Sequence, residues 1–302
     1  MRKFLWFLQA AIALAISFPL SLMTVSAGEF FGLILYHIWT SRRKIAVDNL
    51  KASVSLNALH ITQPPEEIIK DNFKNLGRSF IEVLKLFYGQ SKKVLEKTNV
   101  KGRENLENAL QKGKGAILIT GHCGNWELLA IYALNAQTPL SVVARPLNNP
   151  YLNKALEKFR TRFGNRMIYK KGALKNIIST LRSSGMVGIL MDQAVLSNEG
   201  YVIDFLGRGA WTTKMPSLMA RKTGSPVLPV FIRRSGKGHE VVIHPEIVLS
   251  SNSSLEGAVR EDTERFSGFL EGYIKQNPSE WLWLHRRWKR TPQQKNPFMG
   301  RL

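Results

Sequence analysis

Apolar and polar positions divide the chain into three stretches with different periods. From Phe4 to Gly28 no residue is charged, and Arg2 and Lys3 stand in front. That run is long enough to cross a bilayer as a helix, with a kink expected at Pro19. Apolar character resumes over Phe30-Phe31-Gly32-Leu33-Ile34-Leu35-Tyr36 and stops at the basic cluster Arg42-Arg43-Lys44. Residues 45 to 110 change to helical spacing, as in Ile68, Phe73, Leu76, Phe80, Val83 and Leu84. Pro64-Pro65-Glu66-Glu67 opens one of these helices with the prolines and acids that suit a helix N-terminus.

Beyond Gly115 the pattern alternates between short apolar runs and amphipathic stretches. Ala116 to Ile119 is an apolar run bounded by glycines, the signature of a strand covered on both faces. Strands are expected at Leu140–Arg145, Arg166–Lys170, Met186–Asp192, Val227–Arg233 and Glu240–Ile247. Helices are expected at Tyr151–Phe163, Leu174–Arg182 and Leu255–Gln276. Such alternation predicts an α/β fold, a mixed and mostly parallel sheet flanked by helices. The domain organisation that follows is an N-terminal membrane anchor over residues 1–41 and an α/β domain over 42–302.

Charge sharpens this picture. The chain of 302 residues carries a formal net charge of +21, so an anionic partner is expected: nucleic acid, an anionic membrane surface, a phosphorylated lipid or an acidic carrier protein. Two readings of the N-terminus compete. Val25-Ser26-Ala27 before Gly28 has the small residues of a signal-peptidase site. The basic cluster at Arg42 to Lys44 instead favours a retained anchor that draws the following domain to the cytoplasmic side. A single cysteine excludes an intramolecular disulfide and a multi-cysteine zinc site. His239, His244 and His285 show no ligand spacing with one another or with a cysteine, so no metal is implied.

The candidate chemistry lies in Gly115 to Leu129, GAILITGHCGNWELL. Gly121 and Gly124 bracket His122 and Cys123 in a turn at the strand's carboxyl end, where open α/β sheets bind ligands. Asn125 is a candidate helix N-cap, and Glu127 follows in the first helical turn. An imidazole with a carboxylate five residues on suits general-base chemistry: Glu127 would hold one ring nitrogen of His122 as N–H, and the other would accept a proton. Cys123 is a weaker candidate nucleophile, since neighbouring side chains on a turn diverge. Arg145, Arg160, Arg162 and Arg166 cluster among Asn148, Asn149 and Asn165; Arg160 is expected on a solvated face. Asp192-Gln193 follows another buried strand and should open onto the same edge. The ending Trp281 to Arg290 mixes indoles with cations, which can stack on bases, sit among lipid headgroups or simply pack against the sheet.

GHCGNWELL resembles the His-x4-Glu box of the bacterial lipid A secondary acyltransferases, the lauroyl/myristoyl family within the lysophospholipid acyltransferase superfamily. RRKIAVDNL at Arg42–Leu50, VVARPLNNP at Val142–Pro150 and FRTRFGN at Phe159–Asn165 are similar to further family blocks. So are GILMDQ at Gly188–Gln193, FLGRGAWTT at Phe205–Thr213 and EWLWLHRRWK at Glu280–Lys289.

The resemblance implies a glycerol-3-phosphate acyltransferase-like fold and an inner-membrane enzyme working on the cytoplasmic side. It implies His122 and Glu127 as catalytic residues, with Asn125, Arg145, Arg162 and Asp192 at the substrate. An acyl thioester on acyl carrier protein or coenzyme A would be the donor. The acceptor would be an anionic glycolipid, a phosphorylated lipid A precursor with a free hydroxyl. No nucleic acid, metal or bound cofactor is implied. Backbone N–H groups of the Gly121–Asn125 turn are expected to stabilise the tetrahedral oxyanion. The alternatives are an acyltransferase for another lipid, such as a lysophospholipid or aminolipid, and a non-enzymatic basic membrane-tethered binder.

Overall fold

A computed structural model describes residues 2–132, 139–169 and 172–291. Lys170, the expected end of one strand, and the tail after Thr291 lie outside the described residues.

Seven strands form one sheet: β1 (Thr98–Lys101), β2 (Ala116–Thr120), β3 (Leu140–Ala144), β4 (Arg166–Tyr169), β5 (Met186–Leu190), β8 (Val227–Ser235) and β9 (Gly238–Ile243). Their order is β1-β9-β8-β2-β5-β3-β4. All neighbours are parallel except β8 and β9, which form a hairpin. The expected mixed, mostly parallel sheet is therefore present. The periodicity did not show β1 or the separate antiparallel ribbon of β6 (Gly200–Phe205) and β7 (Arg208–Thr213).

Helices cover both faces of the sheet. Leu118, Leu228, Val230 and Val241 share a core with α4 (Pro65–Phe87), α6 (Arg103–Gln111), α7 (Trp126–Tyr132) and α8 (Pro150–Thr161). Ile117, Ile119, Val187 and Ile189 pack on the other side against α9 (Ala173–Arg182), α10 (Met215–Thr223) and α11 (Leu255–Gln276). Residues 117 and 118 face opposite ways because strand side chains alternate. Both faces of β2 and β5 are thus buried, which explains their unbroken apolar runs. The register pairs Ala116 with Met186 and Thr120 with Leu190, so both strands end together. The residues that follow, Gly121-His122 and Met191-Asp192, leave the sheet side by side.

The N-terminal helices are built onto this body. α2 (Ala27–Ile38) crosses α4 at backbone distance through Gly28, Gly32 and Gly77. A Cβ on Gly77 would sit 2.0 Å from the Gly28 carbonyl oxygen, and one on Gly32 would sit 2.1 Å from that of Phe73. Small residues spaced by four let helices approach this closely, and the Arg78–Glu29 ion pair (2.5 Å) fixes the crossing. α3 (Thr40–Ser55) contains the expected 41/42 boundary.

α1 (Arg2–Leu22) has 21 residues, about 31 Å at 1.5 Å per residue, enough to cross a hydrocarbon layer. Only Ala10 and Ser21 on it are buried. Its backbone is nonetheless pinned along the body: Asn149 Nδ2 donates to Trp6 O (2.9 Å), Tyr88 Oη to Leu14 O (2.9 Å) and Lys85 Nζ to Ser21 O (2.8 Å).

Replacing Gly77 by Ala should cost about 1–3 kcal/mol by forcing α2 off α4, lowering the thermal midpoint of the full chain in detergent by several degrees. Gly268→Ala in α11, where a Cβ meets nothing within 4 Å, should leave the midpoint unchanged or raise it. Equal midpoints for the two variants would refute the glycine crossing.

Candidate active site

The turn after β2 is held by glycine geometry and by the chain's end. Gly124 has φ +55°, and a Cβ there would lie 2.1 Å from Ile232 O, so only glycine fits. Cys123 N–H donates to Gly121 O (2.8 Å) and Gly124 N–H to Glu280 O (2.9 Å), while His122 O accepts from Leu282 N–H (3.0 Å). Cys123 points into the core, 1% exposed, where burial pushes its thiol well above the ordinary range. A group that cannot ionise or reach solvent is not a nucleophile.

His122 projects over the sheet's carboxyl edge, and its carboxylate partner is Asp192. Nδ1 lies 2.8 Å from Asp192 Oδ1, and the His122 backbone N–H donates to Oδ2 (2.9 Å). Trp281 Nε1–H donates to that same Oδ2 (2.9 Å). Asp192 is fully buried. Burial alone would raise its pKa, but the charge and hydrogen bonds of His122 outweigh this and hold the carboxyl well below the usual range. For His122, burial pulls the pKa down, and the charge and hydrogen bond of Asp192 more than reverse it, leaving it above the ordinary imidazole value. With an anionic partner on Nδ1, the network assigns the proton there and leaves the Nε2 lone pair outward. The amide of Gln193 stands 3.3 Å from Nε2.

The sequence reading gave the orienting role to Glu127. In the structure Glu127 instead receives a two-pronged hydrogen bond from Arg160, Nε to Oε2 (3.0 Å) and Nη2 to Oε1 (2.5 Å). Arg160 is accordingly not on a solvated face. The local spacing identified the imidazole, whereas its carboxylate comes from the end of the neighbouring strand. That contact is set by β2–β5 register and cannot be read from a five-residue motif.

Asn125, expected at the substrate, is 2% exposed and donates through Nδ2 to Glu82 Oε2 (2.8 Å). Glu82 also accepts from Arg234 (2.7 and 3.1 Å) and pairs with His239 Nε2 (3.0 Å). Burial raises its pKa, but His239 and Arg234 bring it down to about 2. This buried cluster braces the turn from below. Arg145 is exposed just past β3. Arg162, also exposed, caps α8 and donates to Phe87 O (3.4 Å).

The terminal indoles are core. Trp281 and Trp283 are fully buried, and Arg287 is 1% exposed, donating to Trp211 O (2.7 Å) and Thr212 Oγ1 (2.6 Å). Of the three readings of this segment, packing against the fold is the one these three residues follow, while Arg286, Lys289 and Arg290 remain exposed. The same segment delivers His285, whose ring centroid is 4.9 Å from that of His122; Trp126 packs on the opposite flank at 5.0 Å. Alternation of Trp281 and Trp283 was the one sequence sign of an inward face. His122, Asp192 and His285 bring ligand-type atoms within 4.8 Å of one another. Both Asp192 oxygens and His122 Nδ1 are already engaged in hydrogen bonds, whereas His285 Nε2 is buried without one.

Of the N–H groups in the expected oxyanion turn, those of His122, Cys123 and Gly124 have partners within the fold. Beside the turn, a narrow apolar cavity is lined by Leu118, Thr120, Trp126, Leu140, Val142 and Leu190, among others.

A family model for bacterial lipid A biosynthesis acyltransferases matches residues 1–290. The chain is 26% identical over 235 residues to the lipid A biosynthesis lauroyltransferase of Escherichia coli K12, covering 76% of this chain and 74% of that protein. It is 23% identical over 293 residues to the lipid A biosynthesis palmitoleoyltransferase of the same organism, covering 95% and 91%. A phosphatidylinositol mannoside acyltransferase of Mycolicibacterium smegmatis is 23% identical over 227 residues, 74% of this chain and 73% of that one. The crystal structure of the 1-acyl-sn-glycerophosphate acyltransferase PlsC from Thermotoga maritima is a distant likeness. Its TM-score is 0.38 at 16% identity, covering 91% of this chain and 98% of that one.

Two outcomes follow from the buried carboxylates. A base must be neutral to act, so any rate limited by His122 should rise with pH through a pKa above the ordinary imidazole value. Asp192→Asn should lower the plateau and move that limb to lower pH, as a pH–rate profile would record; an unmoved limb would exclude the pairing. Glu82→Ala leaves Arg234 and His239 facing a buried gap and should cost about 3–5 kcal/mol in denaturant unfolding.

Proposed function

The chain belongs to the bacterial lipid A biosynthesis acyltransferase family, and from that premise we propose that it moves an acyl chain from a thioester to a hydroxyl of a phosphorylated glycolipid, with His122 as general base. The observation that carries this reading is the His122–Asp192 pair, with Nε2 directed outward beside an apolar cavity. Nε2 takes the proton as the hydroxyl oxygen attacks the thioester carbonyl carbon. The C=O π electrons move onto oxygen. When they return, the C–S bond breaks and the thiolate leaves with the proton from the imidazolium. The products are an ester and a thiol. Asp192 holds the tautomer and balances the imidazolium charge throughout. Glu127 contributes through Arg160, which it holds at the front of α7.

The cavity bounded by Leu118 and Trp126, lined mainly by aliphatic and aromatic side chains together with Arg103 and Thr120, is the candidate acyl-chain site. The donor carrier is acyl carrier protein or coenzyme A. Arg145 and Arg162 are the candidate phosphate forks, and Arg145 suits the role better because part of Arg162 is given to Phe87 O. The mycobacterial relative widens the acceptor class to other phosphorylated glycolipids, a second form of the same chemistry. α1 supplies the membrane contact, its outer face presenting Phe4, Leu5, Leu8, Ile12 and Phe18. Because α1 also lies along α4 and α8, a helix in the interface accords with its contacts, on the side favoured by Arg42 to Lys44.

His122→Ala should lower turnover by about 10²–10⁴-fold with folding unchanged, and mass spectrometry of lipid extracts from cells with and without the protein should show one acyl chain fewer on a phosphorylated glycolipid. More than about a tenth of wild-type turnover in His122→Ala would remove the general-base role.

A further inference from the structure

An acyl transfer passes through a tetrahedral oxyanion, and in a water-poor site that charge needs a placed donor. Around His122 most of the nearby donors are spent, and Gln193 Nε2 stands against His122 Nε2 itself (3.3 Å). The His122 backbone N–H goes to Asp192, that of Cys123 to Gly121 and that of Gly124 to Glu280. Asn125 Nδ2 goes to Glu82, and both Arg160 prongs go to Glu127. His285 Nε2 is uncommitted. It is buried with no protein hydrogen-bond partner, although its ring lies against that of His122. A ring nitrogen of His285 comes within 4.8 Å of one on His122, a gap that the two oxygens on one tetrahedral carbon can span, the attacking oxygen about 2.8 Å from His122 and the former carbonyl oxygen about 2.8 Å from His285.

Resting on the acyl-transfer reading above, we infer that His285 is a further catalytic residue, a neutral imidazole whose Nε2–H donates a hydrogen bond to the oxyanion. No proton leaves His285. The hydroxyl proton travels from acceptor to His122 to the departing thiolate, while His285 only stabilises the charge on the former carbonyl oxygen.

The surroundings suit that role. Asn49 Nδ2 donates to the backbone carbonyls of Trp283 (3.0 Å) and His285 (2.9 Å), and Arg42 donates to Leu284 O (3.2 Å), so the segment is clamped by α3. The charged groups around the ring are Asp192, His122, Arg42 and Arg287. Burial comes first and lowers the His285 pKa, Asp192 opposes it, and the three cations add to the lowering, to about 4. The ring therefore stays neutral through the working range. A neutral imidazole can act as a hydrogen-bond donor to a developing negative charge.

The test uses the full chain in detergent, lauroyl-coenzyme A as donor and a phosphorylated glycolipid with a hydroxyacyl chain as acceptor. Wild type and His122→Ala report on the general-base reading. His285→Leu, His285→Asn and His285→Gln report on the donor. His285→Leu should lower kcat by about 10²–10³-fold with KM little changed, and His285→Asn or His285→Gln should recover part of it by restoring an N–H. The loss should be uniform across pH, with the acid limb of His122 left in place. A binding arm needs no turnover: a phosphonate analogue of the tetrahedral intermediate should bind His285→Leu far more weakly than wild type, while a non-reactive lauryl thioether of coenzyme A binds both alike. Equal phosphonate affinity would overturn the inference. So would a shifted acid limb at an unchanged plateau, since His285 would then act by positioning His122.

Discussion

Everything at the sheet's carboxyl edge depends on one buried carboxylate. Asp192 is fully buried at the end of a central strand and is held by three donors from two other parts of the chain. A lone carboxylate there would be too costly to keep ionised. The imidazole makes it affordable, and it in turn makes the imidazole a stronger base. Each group creates the condition for the other, so removing either leaves the remaining one uncompensated in a dry environment. Trp281 adds a fixed dipole and seals the site from below. The same indole belongs to the core cluster with Phe73, Phe205 and Trp283, so the active-site geometry and the stability of the C-terminal segment share one set of contacts.

That arrangement requires five distant stretches to agree in space. β2 and β5 end in register and bring residues 122 and 192 together. α3 clamps the terminal segment through Asn49 and Arg42. α4 reaches under the turn through Glu82, while Asn72 donates to Ser279 O and Trp281 O (2.8 and 2.7 Å). The helices that precede the sheet are therefore braces as well as cover.

How much of this was legible in the sequence depends on the range of the interaction. Strands with unbroken apolar runs were legible, because burial on both faces leaves a mark on every residue. α11 coincides with the expected helix from Leu255 to Gln276, since its apolar spacing and the Ser254 cap are local. β1, four residues and half-exposed, was not legible, nor was the β6–β7 ribbon, whose mixed burial leaves no clear period. His122 stood out because glycines at 121 and 124 announce a turn. Its true partner did not, since nothing within reach of His122 along the chain encodes the β2–β5 register. Asp192 was visible as a carboxylate at a strand end, but its role was not. His285 was hidden for a related reason: its surroundings arise only when the chain's end folds back over its middle.

Net charge shows the same limit from another side. A total of +21 is a sum, and it does not distinguish cations used inside the fold from those offered to a partner. Arg234 is consumed by Glu82, Arg221 by Asp262 and Arg160 by Glu127. Arg287 is buried against a carbonyl and a hydroxyl, and burial lowers it only to about 10, so it remains charged without being available. The cations left at the edge are fewer and better placed. Arg290 donates to Ala194 O, two residues past Asp192, which puts it on the rim of the site. Arg145 is exposed just past the end of β3, and Arg286 follows His285 directly. These cations are carried by the same strand ends and terminal segment that build the His122–Asp192 pair. A change that shifts the terminal segment must therefore disturb both the hydrogen bond of Trp281 to Asp192 and the placing of Arg290.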